Sequence, residues 1–343
     1  MILTPSDLQP FFAMTQLILR RLVTLGLLLS CAVLTYARQM DTGPWLVRIA
    51  PVRADLLALY IQEGEVDRSR IVPYLPEPGD VVEDGYGHYA LSEELGILST
   101  RSVYRDDVLI GYLNGTNTGS IVLVDRYRGA PFDQDIADRA ETYLIGKTRS
   151  EAVRPKAVYR KSKPNSFARH EQKLGVIHTI YLELSDPLLE GETCTVFFPD
   201  LDLETASAEY TYQPQLQRSE AVHVNQVGFA PGDPIKRAYV SLWLGQAGGA
   251  SFPAPLSFHV VDAVRGDRVF SGQAALHWAG DRPEKLHREA NYTGADVYRL
   301  DFPNVTRPGR YHVQVEGIGC SYPFEIRSDL WDEVAATCLR GFY

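Results

Sequence analysis

Acid–base chemistry in this chain would first be sought at four acidic residues of the C-terminal third, Asp296, Asp301, Glu316 and Glu325. Two carboxyls held roughly 5 to 9.5 Å apart can divide general-acid and general-base work across one bond. These four alternate with apolar neighbours at period two, which predicts outward, solvated positions with nothing to pair them. The run Asp133–Asp138, "DQDIAD", has the opening of a calcium loop, but Asp138 and Leu144 stand where such a loop needs Gly and Glu. A surface calcium site of another type stays open. "GYGHYA", Gly85–Ala90, partly imitates a dinucleotide fingerprint without a strand–helix–strand unit around it, and is expected to be a loop. There is no Gly-x-Ser-x-Gly elbow, no His-Glu-x-x-His pair and no phosphate-cradling Gly-x-x-x-x-Gly-Lys run. The expectation is no catalytic residue, no metal site and no cofactor within these 343 residues.

Aromatic side chains are the remaining candidates for recognition. Trp243, within "RAYVSLWLG", is expected to fill a core, as a strand tryptophan often does. Trp278, in the loop-like "LHWAGDRPEKLH", is open to two readings, a core residue or an exposed ring that stacks on a sugar. It is the one candidate carbohydrate-binding residue. Asn114, Asn291 and Asn304 begin Asn-x-Thr sequons, which matter only in a host that glycosylates them.

The elements that must position these residues are strands. In "ADVYRLDFPNVTRPGRYHVQVEG", Tyr298, Leu300 and Phe302 alternate with Val297, Arg299 and Asp301, and beyond Pro308-Gly309 Tyr311, Val313 and Val315 alternate with His312, Gln314 and Glu316. Period two on both sides of a turn predicts two half-buried strands of an antiparallel sheet. "LSFHVVDAVRGDRVFSG" reads as another hairpin, and its Arg265-Gly266-Asp267 triplet as a plain turn rather than an adhesion signal. Upstream, "HTIYLELSDPLLEGETCTVFF" repeats the order strand, loop, glycine, strand. The chain is expected to be all-β, with two tandem immunoglobulin-like sandwiches at 45–214 and 221–327. The polar "YQPQLQRSE" is expected to link them. The first region is large for one sandwich, so it has long loops or an extra subelement. In "DLWDEVAATCLRGFY", Leu330, Val334 and Cys338 are spaced by four, as are Trp331, Ala335 and Leu339, giving a broad apolar stripe on a helix capped by Ser328 or Asp329. A short helix with so wide a face reads as the first element of a further domain.

Residues 1–37 carry the layout of a secretory signal. Arg20 and Arg21 precede an apolar run from Leu22 to Leu34, with Thr35 and Ala37 at the cleavage positions and Met14 as an alternative start. The run is short for a membrane span, though an uncleaved anchor stays open. A secreted or periplasmic location follows. Cleavage after Ala37 leaves Cys194, Cys320 and Cys338, far apart and odd in number, which argues for buried free thiols over a disulfide framework or a structural zinc. With 43 acidic residues against 34 basic ones and a net charge of -9, the chain offers no basic footprint for nucleic acid.

"VHVNQVGFAPGDPIKRAYVS", "NYTGADVYRLDF", "PGRYHVQVEGIGCSYPFEI" and the closing "LRGFY" together resemble the immunoglobulin-like module of glycoside hydrolase family nine, the cellulases and related β-glucan hydrolases. The resemblance runs from Ala221 to Tyr343. "VYRKSKP" and "HTIYLEL" are similar, less closely, to an N-terminal β-domain of some bacterial members. The resemblance implies a catalytic α/α barrel following the module, with paired aspartates and a general-acid glutamate that match no position here. Residues 328–343 would be the barrel's first helix. The partners implied are a β-glucan or related polysaccharide, reached through that barrel, and the barrel itself as an intramolecular partner of the sandwich. The alternative is a secreted carbohydrate-binding or structural β-sandwich module without catalysis.

Overall fold

Every residue from Leu56 to Gln62 is buried. An apolar run covered on both faces has to lie between two layers, and that is its place in the computed structural model, which describes residues 43–84, 101–113, 119–284 and 289–342. Its sheet runs in the order Trp45–Arg53, Leu56–Glu63, Lys173–Glu183, Ala157–Ala168. Leu57, Leu59 and Ile61, with Ile180 and Leu182, share a core with Tyr143, Val196 and Phe198 under the sheet Leu144–Gly146, Thr193–Phe197, Ser207–Thr211. Leu56, Ala58, Tyr60 and Tyr181 belong instead to the core of the second sandwich, with Val240, Leu242, Leu244 and Phe258. Each fully buried Leu or Ile here stabilises by about 1.5–3 kcal/mol relative to exposure. One sheet therefore serves two cores.

The chain is all-β, with immunoglobulin-like sandwiches followed by a short helix, Leu330–Arg340. Compactness divides it elsewhere than at the expected 214–221 boundary. Residues 44–63, 131–167 and 173–342 form one unit, which contains both sandwiches, and residues 64–130 with 168–172 form another. The second unit holds a five-stranded sheet in the order Ile71–Pro73, Ser120–Leu123, Val108–Leu113, Arg101–Arg105, Asp80–Asp84 over a small core of Val103, Leu113 and Ile121. It also holds the pair Glu65–Asp67 and Arg126–Arg128. The expected leader at 1–37, the Gly85–Ala90 loop and the Asn114 sequon lie outside the described residues. Among the described residues no helix is long and apolar enough to cross a membrane.

The second sandwich corrects one expectation. Val297–Asp301 and Gly309–Val315 alternate as anticipated, with Leu300, Tyr311, Val313 and Val315 buried, but they are not a hairpin. The first lies in the sheet Val222–Val224, Arg237–Val240, Val297–Asp301, Ala275–Trp278. The second lies in the facing sheet Arg268–Gln273, Ser257–Asp262, Gly309–Val315, Gly319–Cys320, with Phe324–Ile326 also along it. The connection crosses the core, and the Tyr311 hydroxyl ties it by donating to the Arg307 carbonyl at 2.9 Å, the tyrosine corner of such sandwiches. The upstream echo crosses in the same way, from Lys173–Glu183 to Thr193–Phe197. The Arg265-Gly266-Asp267 triplet is a turn, with Gly266 at φ 77° and Arg265 paired to Asp262 and Asp267.

Candidate functional site

The stretch Asn225 to Phe229 owes its composition to one tight turn. The Asn225 Oδ1 accepts from the Val227 amide at 3.1 Å, and its Nδ2 donates to the Gly228 carbonyl at 3.0 Å. Gly228 sits at φ 99°, where a Cβ would stand 2.3 Å from the Glu325 carbonyl oxygen, so only glycine fits. Phe229 then bonds both ways across Glu325 and Arg327, at 2.9 and 3.1 Å. Its ring meets Phe302 and Phe324 edge-on, with centroids 5.6 and 5.5 Å away. Downstream, Lys236 is buried, and its ammonium donates to the carbonyls of Pro231, Asp233 and Pro303 at 2.8, 2.7 and 3.4 Å. The motif closes one end of the sandwich.

That closed end positions the helix Leu330–Arg340. Arg327 pairs with Glu325 at 3.5 Å, with Asp329 at 3.7 Å and with Glu333 in the first helical turn. Asp329 is the N-cap through its backbone, without a side-chain hydrogen bond. Asp332 and Glu333 at the start and Arg340 at the end match the helix dipole. Between helix and sandwich runs a groove of about 520 Å³, lined by Val227, Pro323, Leu330, Val334 and Cys338 among others. Of the expected stripe, Leu330 is buried and Val334 half-buried, whereas Trp331 is 55 % and Leu339 60 % exposed. The groove is mixed in character, since Gln226, Arg310 and Thr337 line it beside these apolar residues. Its acids, Glu325 and Glu333, are both held by Arg327.

The other sequence candidates lie apart. Trp278, half-buried at the end of Ala275–Trp278, has the Arg282 guanidinium 3.8 Å over its ring and donates from Nε1 to the Arg282 carbonyl at 3.2 Å. Trp243 is 42 % exposed rather than core. Leu242 and Leu244 take the two inward positions, and alternation turns the residue between them outward. The four acids each have a separate partner. Asp296 accepts from the Gly280 amide, Asp301 pairs with Arg237 and Arg299, Glu316 meets His259 and Glu325 meets Arg327. Asp133 caps the short helix Gln134–Ala137, and Asp138 pairs with Arg160 at 2.6 Å. Cys194 and Cys320 are buried free thiols, but Cys338 is exposed on the helix.

Three constellations escape sequence reading because they join residues far apart in the chain. Ser162, His178 and Glu63 stand in line, with Ser162 Oγ 2.8 Å from Nδ1 and Glu63 Oε2 2.7 Å from Nε2. Ser271, His259 and Glu316 repeat this at 2.8 and 2.8 Å. Burial lowers the His178 pKa against the pull of Glu63, so the neutral ring donates to the carboxylate and accepts from the serine. Both serines lie on edge strands, and such a line repeated across two sheets is a cross-strand polar ladder. The third is Glu220, inside the expected linker. Its carboxylate accepts from Tyr181 at 2.9 Å, Tyr60 at 3.2 Å and the buried Lys161 at 2.8 Å, and Lys161 also donates to the Trp243 carbonyl at 3.2 Å. Burial works against the Glu220 charge, but Lys161, the tyrosine and Lys163 together hold its pKa below the ordinary value. The linker is a clasp between the sandwiches.

Residues 217–320 match the family described as the cellulase N-terminal ig-like domain. That match falls on the second sandwich. Its ends are joined in the structure, since the Cys320 amide donates to the Gln217 carbonyl at 2.8 Å and the Ser219 amide to the Cys320 carbonyl at 3.0 Å. Endoglucanase D of Acetivibrio thermocellus is 25% identical over 149 residues, which cover 43% of this chain and 20% of that protein. The chain thus spans about a fifth of the curated relatives it matches. Among solved structures, a metagenome-derived glycoside hydrolase family 9 endoglucanase is 31% identical over 31% of this chain and 18% of its own, with a TM-score of 0.25. A Bacteroides ovatus GH9 protein is 26% identical over 36% of this chain and 18% of its own, with a TM-score of 0.26.

Proposed function

We propose that this chain is the N-terminal, non-catalytic part of a secreted family-nine glycoside hydrolase. The cellulase-type immunoglobulin-like domain and the helix that leaves it would carry and brace an α/α-barrel catalytic domain that hydrolyses a β-glucan. The carrying observation is the helix. Arg327 and Leu330 fix its first turn, and Trp331 and Leu339 present apolar surface beyond it. An exposed apolar patch of this kind beside a groove marks a docking face. Catalysis by these residues themselves has no support, because the acids the sequence offers are each committed to a different partner.

Two measurements test the proposal. The chain as given should release no reducing sugar from soluble β-1,4-glucan, and turnover would refute its non-catalytic role. The native protein, isolated from its source and weighed intact, should exceed the mass of 343 residues by several hundred more. A mature product no larger than this chain would remove the barrel, leaving a binding or structural module.

A further inference from the structure

The unit of residues 64–130 and 168–172 carries a groove that the immunoglobulin-like reading does not absorb. Four arginines, Arg68, Arg70, Arg126 and Arg128, line about 220 Å³ of it, in a chain whose net charge is -9. Arg126 is held by Glu171 at 3.3 Å and by the Leu109 carbonyl, and Arg128 by Asp67. Arg68 and Arg70 are exposed and have no acidic partner among the described residues. Ser69, between them, is pinned to Asp125 Oδ1 through both its amide, at 3.0 Å, and its hydroxyl, at 2.5 Å. That fixes the backbone from which the two free guanidinium groups reach the groove. The floor is aliphatic, formed by Ile110, Leu123 and Val124.

We propose that this groove binds the carboxylate of an acidic sugar, a uronate residue within a glycan. A guanidinium presents its donors as a planar fork that matches a carboxylate, and two uncompensated forks exceed what the local acids require. The aliphatic floor suits the C–H face of a pyranose ring, and the volume suits a single ring rather than a large ligand. A net-negative chain attracts polyanions poorly at long range, so binding here rests on local geometry. The sugar in this assignment rests on the proposed function of the chain, whereas the carboxylate rests on the groove alone.

The test is calorimetric titration of the full chain at low salt with trigalacturonate, with cellotriose and with sodium acetate. Trigalacturonate should bind saturably, with an affinity on the order of 1 mM or tighter, and weaken as salt is raised. The R68A/R70A variant should lose at least about tenfold in affinity, while R68K/R70K, which keeps charge but not the fork, should lose less. Cellotriose and acetate should not saturate in the same range. As a check independent of folding of the variants, trigalacturonate should protect Arg68 and Arg70 of the unaltered chain from phenylglyoxal, read by peptide mass spectrometry. No binding of trigalacturonate, or equal binding by R68A/R70A with no protection, overturns the proposal. Acetate binding as tightly as trigalacturonate overturns the sugar. None of these assays reads β-glucan hydrolysis, so their failure leaves the proposed function standing.

Discussion

Replacing Glu220 by alanine tests whether the linker locks the two sandwiches together. The substitution strands a buried ammonium, since the Lys161 side chain is 4% exposed, and removes the acceptor of the Tyr60 and Tyr181 hydroxyls. Breaking a buried pair by deleting one partner costs about 3–5 kcal/mol. Glu220 itself keeps 16% exposure, so the lower end applies, about 3 kcal/mol. For a unit of this size that lowers Tm by roughly 6–12 °C. Differential scanning calorimetry of the whole chain should show the loss. K161M/E220L, which removes both charges, should recover at least half of it. The pH dependence has a fixed sign. The Glu220 carboxyl sits below its ordinary value of 4.5 in the folded chain, so its contribution is complete above about pH 4.5 and is lost as pH falls through the folded value. The E220A deficit should therefore shrink on acidification below pH 4. A deficit under about 1 kcal/mol at pH 7, the size seen for exposed pairs, would refute the clasp.

Gly228→Ala forces a Cβ to 2.3 Å from the Glu325 carbonyl at φ 99° and should cost about 2 kcal/mol or more by urea unfolding; a loss below about 0.5 kcal/mol would show the turn to be adaptable. Tyr311→Phe deletes the hydroxyl that ties the corner to the Arg307 carbonyl and should cost about 1–2 kcal/mol with the far-ultraviolet spectrum unchanged. Iodoacetamide at pH 8 should alkylate exposed Cys338 in the folded chain and spare Cys194 and Cys320, whose thiols burial pushes up to about 11 and about 12; peptide mass spectrometry reads the sites, and equal labelling of all three would contradict the fold.

Alternation made the strands legible but not their sheets. Tyr298, Leu300 and Phe302 and then Tyr311, Val313 and Val315 mark buried faces whether the two strands pair side by side or face each other across the core. The decision lies in Tyr311 reaching back to Arg307, a contact that period two does not encode. Trp243 shows the same limit from the other side. Read by residue type it belongs inside, but read by parity from Ala238, Val240, Leu242 and Leu244 it belongs outside, and parity won. The polar composition of the linker does not encode the partners its side chains find. Gln217 bonds the Tyr210 hydroxyl, the Gln213 amide and the Thr211 carbonyl, and Glu220 collects donors from strands that lie 39 and 160 residues away in sequence.

The helix joins the physical and the functional readings. Eleven residues are marginal as a helix in water without packing on an apolar face. Here one end of that face is anchored. Leu330 is buried against the sandwich, and Arg327 draws Glu333 onto the end closed by the Asn225–Phe229 turn. Beyond that turn the helix keeps its apolar period while its side chains meet solvent. The anchored first turn, with three carboxylates around one arginine, thus leads into a helix whose Trp331 and Leu339 stand in solvent. Under the proposed function, the occupant of that face is the catalytic barrel. That is why the docking face, rather than any carboxylate or tryptophan, carries the proposed function.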